Sequence, residues 1–378
     1  MKILFPILIL IILITSCRSG PDAERLYVGT YTQALNHVNG QADGIYRCTW
    51  NNGIQFEEKV ADVVNPSFLT VTRDGRYLYA VEETGGPGKN GKVHAFGVEP
   101  DGALVKLQQV SSEGKAPCFL QTDRNDEFLL VTNYTGGMVS MYARQPDGTL
   151  KLSDTLQLPG TGGDPGQNRS HPHAAVPTPD NQYVLVPDKG SNCIWQLALN
   201  REQGNLSLSD SLALQPGAGP RHLVFHQNDR WVYVLNERDA TISLLYYNNK
   251  TGELTKRESY STLPDSYTAE NAAAEIFIHP NGRYLYASNR GHNSIAVYSV
   301  DRSNGRLKRI QNRSVNGETP RHFTMSPDGR FMVVGNQDSN TINTFRIHPY
   351  NGKLEEQIDE LSVPTPVCLR WQILAWEQ

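Results

Sequence analysis

His173, Arg221, Arg321, Lys189, Glu83, Glu237 and Arg290 are the residues of this 378-residue sequence whose types and placement could do chemistry. Arginines drawn together from separate segments suit an anion, because a guanidinium binds carboxylate or phosphate through paired hydrogen bonds. A histidine or glutamate beside them could activate water or move a proton, while an arginine stabilises the oxyanion formed when an ester carbonyl is attacked. The substrate such a set points to is an acid or a phosphate ester. No serine-nucleophile motif and no metal triad competes, and Cys48, Cys118, Cys193 and Cys368 fall at spacings that match no zinc or redox site. In an oxidising compartment those four could pair in any of three ways.

These residues lie far apart in the chain, so the fold must bring them together, and an internal repeat shows how. Asp74-Gly75-Arg76-Tyr77-Leu78-Tyr79 recurs as Asn281-Gly282-Arg283-Tyr284-Leu285-Tyr286 and Asp328-Gly329-Arg330-Phe331-Met332-Val333, with weaker copies from Asn125, Asp180 and Asn228. The six copies start 47 to 55 residues apart, the length of one propeller blade. Each has a proline, an apolar stretch, the turn, a strand, and then a third strand such as Met138 to Tyr142, Cys193 to Leu197 or Ile242 to Tyr246. Most continue through a Gly-x-Leu turn, as at Gly252 and Gly305, into a fourth. At the ends, Leu26-Tyr27-Val28-Gly29 matches the strand after the turn and Pro366-Val367-Cys368-Leu369 the strand before it. The expected fold is all-β, a seven-bladed β-propeller of four-stranded antiparallel blades whose last blade is closed by the N- and C-terminal segments. An open solenoid would not explain the complementary ends. Such a ring has no free edge, so a monomer is expected.

Positions that match in every blade hold the blade, and positions that differ between matching blades are free for function. One variable column follows the blade's first proline and reads Ser67, Cys118, His173, Arg221, Ala274, Arg321 and Val367. A second, at the end of the next strand, reads Tyr31, Glu83, Tyr134, Lys189, Glu237, Arg290 and Gln337. Antiparallel pairing puts both at one mouth of the central channel. The adjoining column Glu82, Asn133, Asp188, Asn236, Asn289 and Asn336 is uniformly polar and reads as structural. Two segments are expected to form loops over the mouth: Gly160 to Arg169, which leads into Ser170-His171-Pro172-His173, and Ser266 to Glu275. Arg-His pairs at Arg221-His222 and Arg321-His322 could also tie blades together, and His171 could be an ordinary loop residue.

The net charge of −4 gives no basic field for nucleic acid. Lys2 followed by apolar Ile3 to Ile14 reads as a signal segment too short to span a bilayer comfortably. Thr15-Ser16-Cys17 resembles a bacterial lipobox. Residues 1–17 are therefore expected to be a lipoprotein signal with Cys17 as the lipidated residue, 18–24 a linker and 25–378 the propeller. The protein would sit in the cell envelope, touching membrane only through its anchor.

With these residues in view the chain resembles the lactonase family of seven-bladed β-propellers, of the 6-phosphogluconolactonase and carboxy-muconate lactonizing type. The resemblance spans the mature chain and rests on Tyr27-Val28-Gly29-Thr30-Tyr31-Thr32, Asn65-Pro66-Ser67-Phe68-Leu69, Ser170-His171-Pro172-His173, Gly219-Pro220-Arg221-His222, Val234-Leu235-Asn236-Glu237 and Ser288-Asn289-Arg290-Gly291-His292. It implies opening or closing of a lactone ring without a cofactor or metal, on a small anionic lactone. It also implies that His173, Arg221, Glu237 and Arg290 are catalytic, with His173 or Glu237 as base and the arginines on the anion and the developing charge. Arg321, His171, His222 and Lys189 are expected to bind substrate. The signal segment sets this chain apart from an enzyme of cytoplasmic 6-phosphogluconolactone, so the reaction type transfers more directly than the substrate. Two rival readings are a non-catalytic envelope propeller that binds a glycan or protein, and a muconate-type lactonizing enzyme, which would need a pocket for two or three carboxylates.

Overall fold

In a computed structural model, residues 24–36, 38–51, 53–161 and 167–372 are described, and their regular structure is strand alone. Seven four-stranded antiparallel sheets stand around an axis, with a small two-stranded ribbon beside them. Blades 1 to 6 follow in chain order over 69–111, 117–157, 176–213, 220–261, 272–314 and 320–362. Blade 7 joins the ends: Pro366–Trp371 is its innermost strand, paired with Glu24–Thr30, and Ile45–Trp50 and Ile54–Ala61 complete it. The register sets Leu26 against Trp371 and Val28 against Leu369, which makes one face of the joint apolar, and Tyr27 against Arg370 on the other. The first strand starts at Glu24, one residue inside the expected linker, and the inner strand Ala272–Ile278 takes the last four residues of the expected Ser266 to Glu275 loop. Cys48, Cys118, Cys193 and Cys368 are buried and unpaired.

Burial grades outward along each blade, because each sheet is covered by its two neighbours near the axis and by water at the rim. Phe128–Asn133, the second strand of blade 2, is buried at every residue, whereas its outermost strand Leu150–Gln157 alternates toward solvent. The outermost strand of blade 7 carries Glu57, Glu58 and Lys59, charges that discourage another chain from pairing with that edge.

The repeated turn motif explains how blades lock together. The tyrosine two residues into the second strand reaches the next blade and donates its hydroxyl to the glycine carbonyl of that blade's Gly-x-Leu turn. The pairs are Tyr27 to Gly102 at 2.8 Å, Tyr79 to Gly148 at 3.0 Å, Tyr233 to Gly305 at 2.8 Å and Tyr286 to Gly352 at 2.8 Å. Each glycine adopts a left-handed backbone, with φ between 68° and 84°. At three of them a side chain would also collide with the aromatic that opens the facing strand: a Cβ on Gly148 would lie 2.2 Å from the Tyr77 ring, one on Gly305 2.6 Å from Trp231 and one on Gly352 2.2 Å from Tyr284. The turn therefore needs glycine for both φ and space.

Gly148→Ala is expected to destabilise the ring by about 1–3 kcal/mol, read as a lower midpoint of thermal or denaturant unfolding. Gly86→Ala, where φ is ordinary and nothing lies within 4 Å, is the control and should leave the midpoint in place.

Candidate active site

The first variable column is a ring of β-bulges. In blades 2, 4, 6 and 7 the register slips by one residue as the inner strand begins, leaving Cys118, Arg221, Arg321 and Val367 unpaired. Backbone bonds show the same offset at Ser67 and His173, and in blade 5 Ala274 and Glu275 together face Ser288. A bulge twists the strand and re-aims the extra side chain. The residue before the proline is left-handed in five blades, at Asn65, Ala116, Gly219, Thr319 and Thr365. For a β-branched threonine that conformation costs about 1–3 kcal/mol. Asparagine side chains of the preceding blade hold it, Asn293 accepting from Thr319 N–H and Asn340 from Thr365 N–H.

At the mouth these bulges meet the strand ends of the second column. Glu237 Oε1 accepts from Lys189 Nζ at 2.5 Å, while Oε2 lies 3.1 Å from Arg221 Nε and 3.3 Å from Arg290 Nη2. One carboxylate thus joins blades 3, 4 and 5. Burial alone would raise its pKa, but Arg290, Lys189 and Arg221 outweigh that and hold it well below the usual carboxylate range. Across the mouth, Arg321 Nη2 donates to Tyr31 Oη at 3.0 Å, and Tyr31 donates to Glu83 at 2.8 Å. Four cations, Lys189, Arg221, Arg290 and Arg321, therefore face two carboxylates, leaving two positive charges in excess.

His173 is 7 % exposed, and its Nδ1 has no hydrogen-bond partner. Burial pushes its pKa well down, with Arg221, His222, Arg321 and Lys189 adding to the effect, so the imidazole is neutral at pH 7. Asp188, from the polar column, sets its backbone. It accepts from Ser170 Oγ, His171 N, Gly190 N, Ser191 N and Trp195 Nε1, pinning the loop that ends in His173. Asn133 and Asn236, by contrast, bond the third strand of their own blades through Ser140 and Ser243.

One residue further along each inner strand, a second ring closes the channel under the mouth. Phe68 and Phe119 meet at 4.5 Å between ring centroids and pack edge-on against His222. His222 and His322 flank the carboxylate of Glu275. Below this plug an axial cavity of about 440 Å³ opens to the opposite face; His222, Glu275 and His322 line it, and Glu237 does not. The mouth itself widens into a depression of about 680 Å³ between Glu237, Arg290, Asn271 and Thr319.

The structure brings His173, Arg221, Glu237, Arg290, Lys189 and Arg321 together at the mouth. His171 stands at its margin, stacked on Tyr134 at 4.6 Å, with Nδ1 bonded to the Tyr134 carbonyl. His222 is turned into the plug, away from where a ligand at the mouth would sit. Of the expected Gly160 to Arg169 loop, residues 162–166 lie outside the described residues, as does Cys17; the described Gln167 bonds the Lys189 carbonyl at 2.7 Å. Tyr31 and Tyr134 stood in the variable columns without ionisable chemistry to mark them, and Glu275 was masked by an alanine-rich segment.

The family model described as Lactonase, 7-bladed beta-propeller matches residues 25–371. A 6-phosphogluconolactonase of Bacillus subtilis is 32 % identical over 351 residues, 91 % of this chain and 97 % of the relative. A 6-phosphogluconolactonase of Formosa agariphila is 36 % identical over 310 residues, 79 % of this chain and 86 % of the relative. The solved periplasmic gluconolactonase of Pseudomonas aeruginosa superposes with a TM-score of 0.86 at 28 % identity, over 93 % of this chain and 99 % of that one.

The buried charges set how stability varies with pH. His173, His222 and His322 resist protonation in the fold but take up protons when unfolded, so stability is full above about pH 6.5 and falls below it. Glu237, whose pKa the fold depresses, adds a further loss below about pH 5. Unfolding midpoints measured from pH 8 to pH 4 should show this early onset. Glu237→Gln, which strands three cations, should cost about 3–5 kcal/mol at pH 7, with the gap narrowing in acid.

Proposed function

The chain belongs to the family of seven-bladed β-propeller lactonases, and on that premise we propose that its charged mouth hydrolyses an anionic sugar lactone to the hydroxy acid. The observation that supports this best is the excess of two positive charges around a neutral imidazole whose Nδ1 has no hydrogen-bond partner. An anion is drawn into such a site, and a buried guanidinium stabilises negative charge more strongly than one in water. Relatives named for 6-phosphogluconolactone and gluconolactone support a six-carbon aldonolactone as the substrate class, and the positive excess favours its phosphorylated, anionic form over the neutral one.

The geometry supports the following roles. His173 is the base, because Glu237 is saturated by three cations and held too acidic to take a proton efficiently. His173 removes a proton from water as the water oxygen bonds to the ester carbon. The carbonyl electron pair moves to an oxyanion that Arg221 and Arg290 hold. Collapse breaks the bond to the ring oxygen, which receives the proton from the imidazolium, giving the hydroxy acid and restoring His173. Glu237 orients the two arginines and Lys189, while Arg321 binds the anionic end of the substrate.

Acid release from δ-gluconolactone and 6-phosphogluconolactone tests this. Arg221→Ala should lower kcat/KM by about 10²–10³-fold, and His173→Ala by about 10²–10⁴-fold. The acid limb of the wild-type pH profile should lie below the ordinary histidine value of about 6.5, because the base must be neutral to act. Unchanged turnover in both variants, or rates that respond to muconates and not to lactones, would refute the assignment.

We further infer lipid attachment at Cys17 and residence in the cell envelope. Supporting this are Lys2, the apolar Ile3 to Ile14 stretch and the small residues before Cys17, together with a solved relative described as periplasmic. The closed ring, whose outer edge at blade 7 is protected by charges, supports a monomer. Labelled palmitate should enter the wild-type protein and not Cys17→Ser; an unlabelled wild type or a labelled variant would contradict the anchor.

A further inference from the structure

Glu275 is a buried carboxylate that the chemistry above does not use. It stands in the plug, 7 % exposed, on the inner strand of blade 5 where the bulge leaves Ala274 and Glu275 facing Ser288. Its Oε1 lies 2.9 Å from His222 Nδ1 and accepts the Ile276 N–H at 3.0 Å, and its Oε2 lies 3.4 Å from His322 Nε2. The His322 tautomer is set from the far side: Nδ1 accepts the Leu369 N–H at 3.3 Å, which leaves the ring proton on Nε2, facing Glu275. His222 faces Glu275 through Nδ1. Arg221 Nη1 lies against the face of the same ring, 3.4 Å from Nδ1 and 3.2 Å from Nε2, and it donates to the carbonyl of Ala274, the residue before Glu275.

A continuous line of polar contacts thus runs from the plug to the mouth, from Glu275 through His222 to Arg221 and on to Glu237. It crosses between blades 4 and 5, with His322 of blade 6 on its flank. The rest of the plug is Phe68, Phe119, Ala174 and Cys368, which shows that apolar side chains can fill this ring. Placing a carboxylate between two imidazoles costs desolvation that an apolar filler would avoid. The polar half of the plug also lies directly under the guanidinium that most needs support. Burial pushes the Arg221 pKa down to about 10, with Arg290 and Arg321 adding to the shift, and the nearby carboxylates of Glu237 and Glu275 oppose it.

We propose that Glu275 is a positioning residue of the hydrolysis: acting through His222, it fixes the Arg221 guanidinium so that the oxyanion meets it without reorganisation. The inference rests on the role given to Arg221 above. Preorganised donors are effective because they need not move as charge develops, and a misplacement of about 1 Å is enough to lose about 10²-fold in rate.

A double-mutant cycle on lactone hydrolysis tests it. Glu275→Gln in the wild-type background should lower kcat by about 10²-fold with KM little changed, and in the Arg221→Ala background the same change should have almost no effect. An equal fold-loss in both backgrounds, or no loss in the first, would overturn the inference. Phe119→Leu, which loosens the same ring without touching the carboxylate, should act by one factor in both backgrounds. If it showed the non-additivity of Glu275→Gln, packing and not the carboxylate would be the cause. Should Glu275→Gln not fold, Glu275→Asp, which keeps the charge but withdraws it by one methylene, goes through the same cycle with the same criteria. Full activity of Arg221→Ala alone would instead remove the role of Arg221 itself, and this inference with it.

Discussion

The mouth of this propeller depends on one carboxylate meeting three cations from three blades. Without Glu237, the side chains of Lys189, Arg221 and Arg290 would stand together in a partly buried funnel with no fixed counter-charge at their centre. Like charges at such separations repel strongly where water is scarce. Glu237 makes the cluster tenable and, because its own pKa is driven far down, it does so at every pH at which the fold survives. The neutralisation is deliberately incomplete. With Arg321 and Glu83 included, the mouth keeps a positive excess, which an anionic substrate bound as proposed would neutralise.

The backbone explains why these residues could diverge from the repeat. Within a blade, side chains on regular strand are confined between two neighbouring sheets, and almost all of them in the second strands are buried and apolar. The bulge at the start of each inner strand releases one side chain per blade from that packing and aims it at the axis. The scaffold thus offers one variable position per blade at the same height, and the left-handed residues that create it are braced by asparagines from the neighbouring blade. Strain is concentrated where function needs aimed side chains, while the tyrosine-to-glycine bonds further out hold the blades in ring order.

Much of this was legible in the sequence because a repeat can be aligned against itself. The Asp74-Gly75-Arg76 motif and its copies marked six blades, and the split of Leu26 to Gly29 from Pro366 to Leu369 marked the seventh as the joint, which the strand pairing bears out. His173, Arg221, Glu237 and Arg290 stood out because they fall in two columns that vary between otherwise matching blades. Contacts between columns were not legible. Asp188 sat in a uniformly polar column and read as one structural residue among six, although five donors converge on it to hold the His173 loop. Glu275 lay in a segment that reads as a loop, because Ala272, Ala273 and Ala274 have low strand propensity and only the ring closes them into an inner strand. His222 read as a substrate ligand because it follows Arg221, but the step past the bulge turns it down into the plug.

The most direct measurement is a crystal structure of the protein with a bound aldonate product, 6-phosphogluconate or gluconate. The account predicts the product carboxylate between Arg221 and Arg290, with His173 within hydrogen-bonding distance and Glu237 still bridging its three cations. A product seated below the plug in the axial cavity, or on the outer strands with the mouth unchanged, would contradict it.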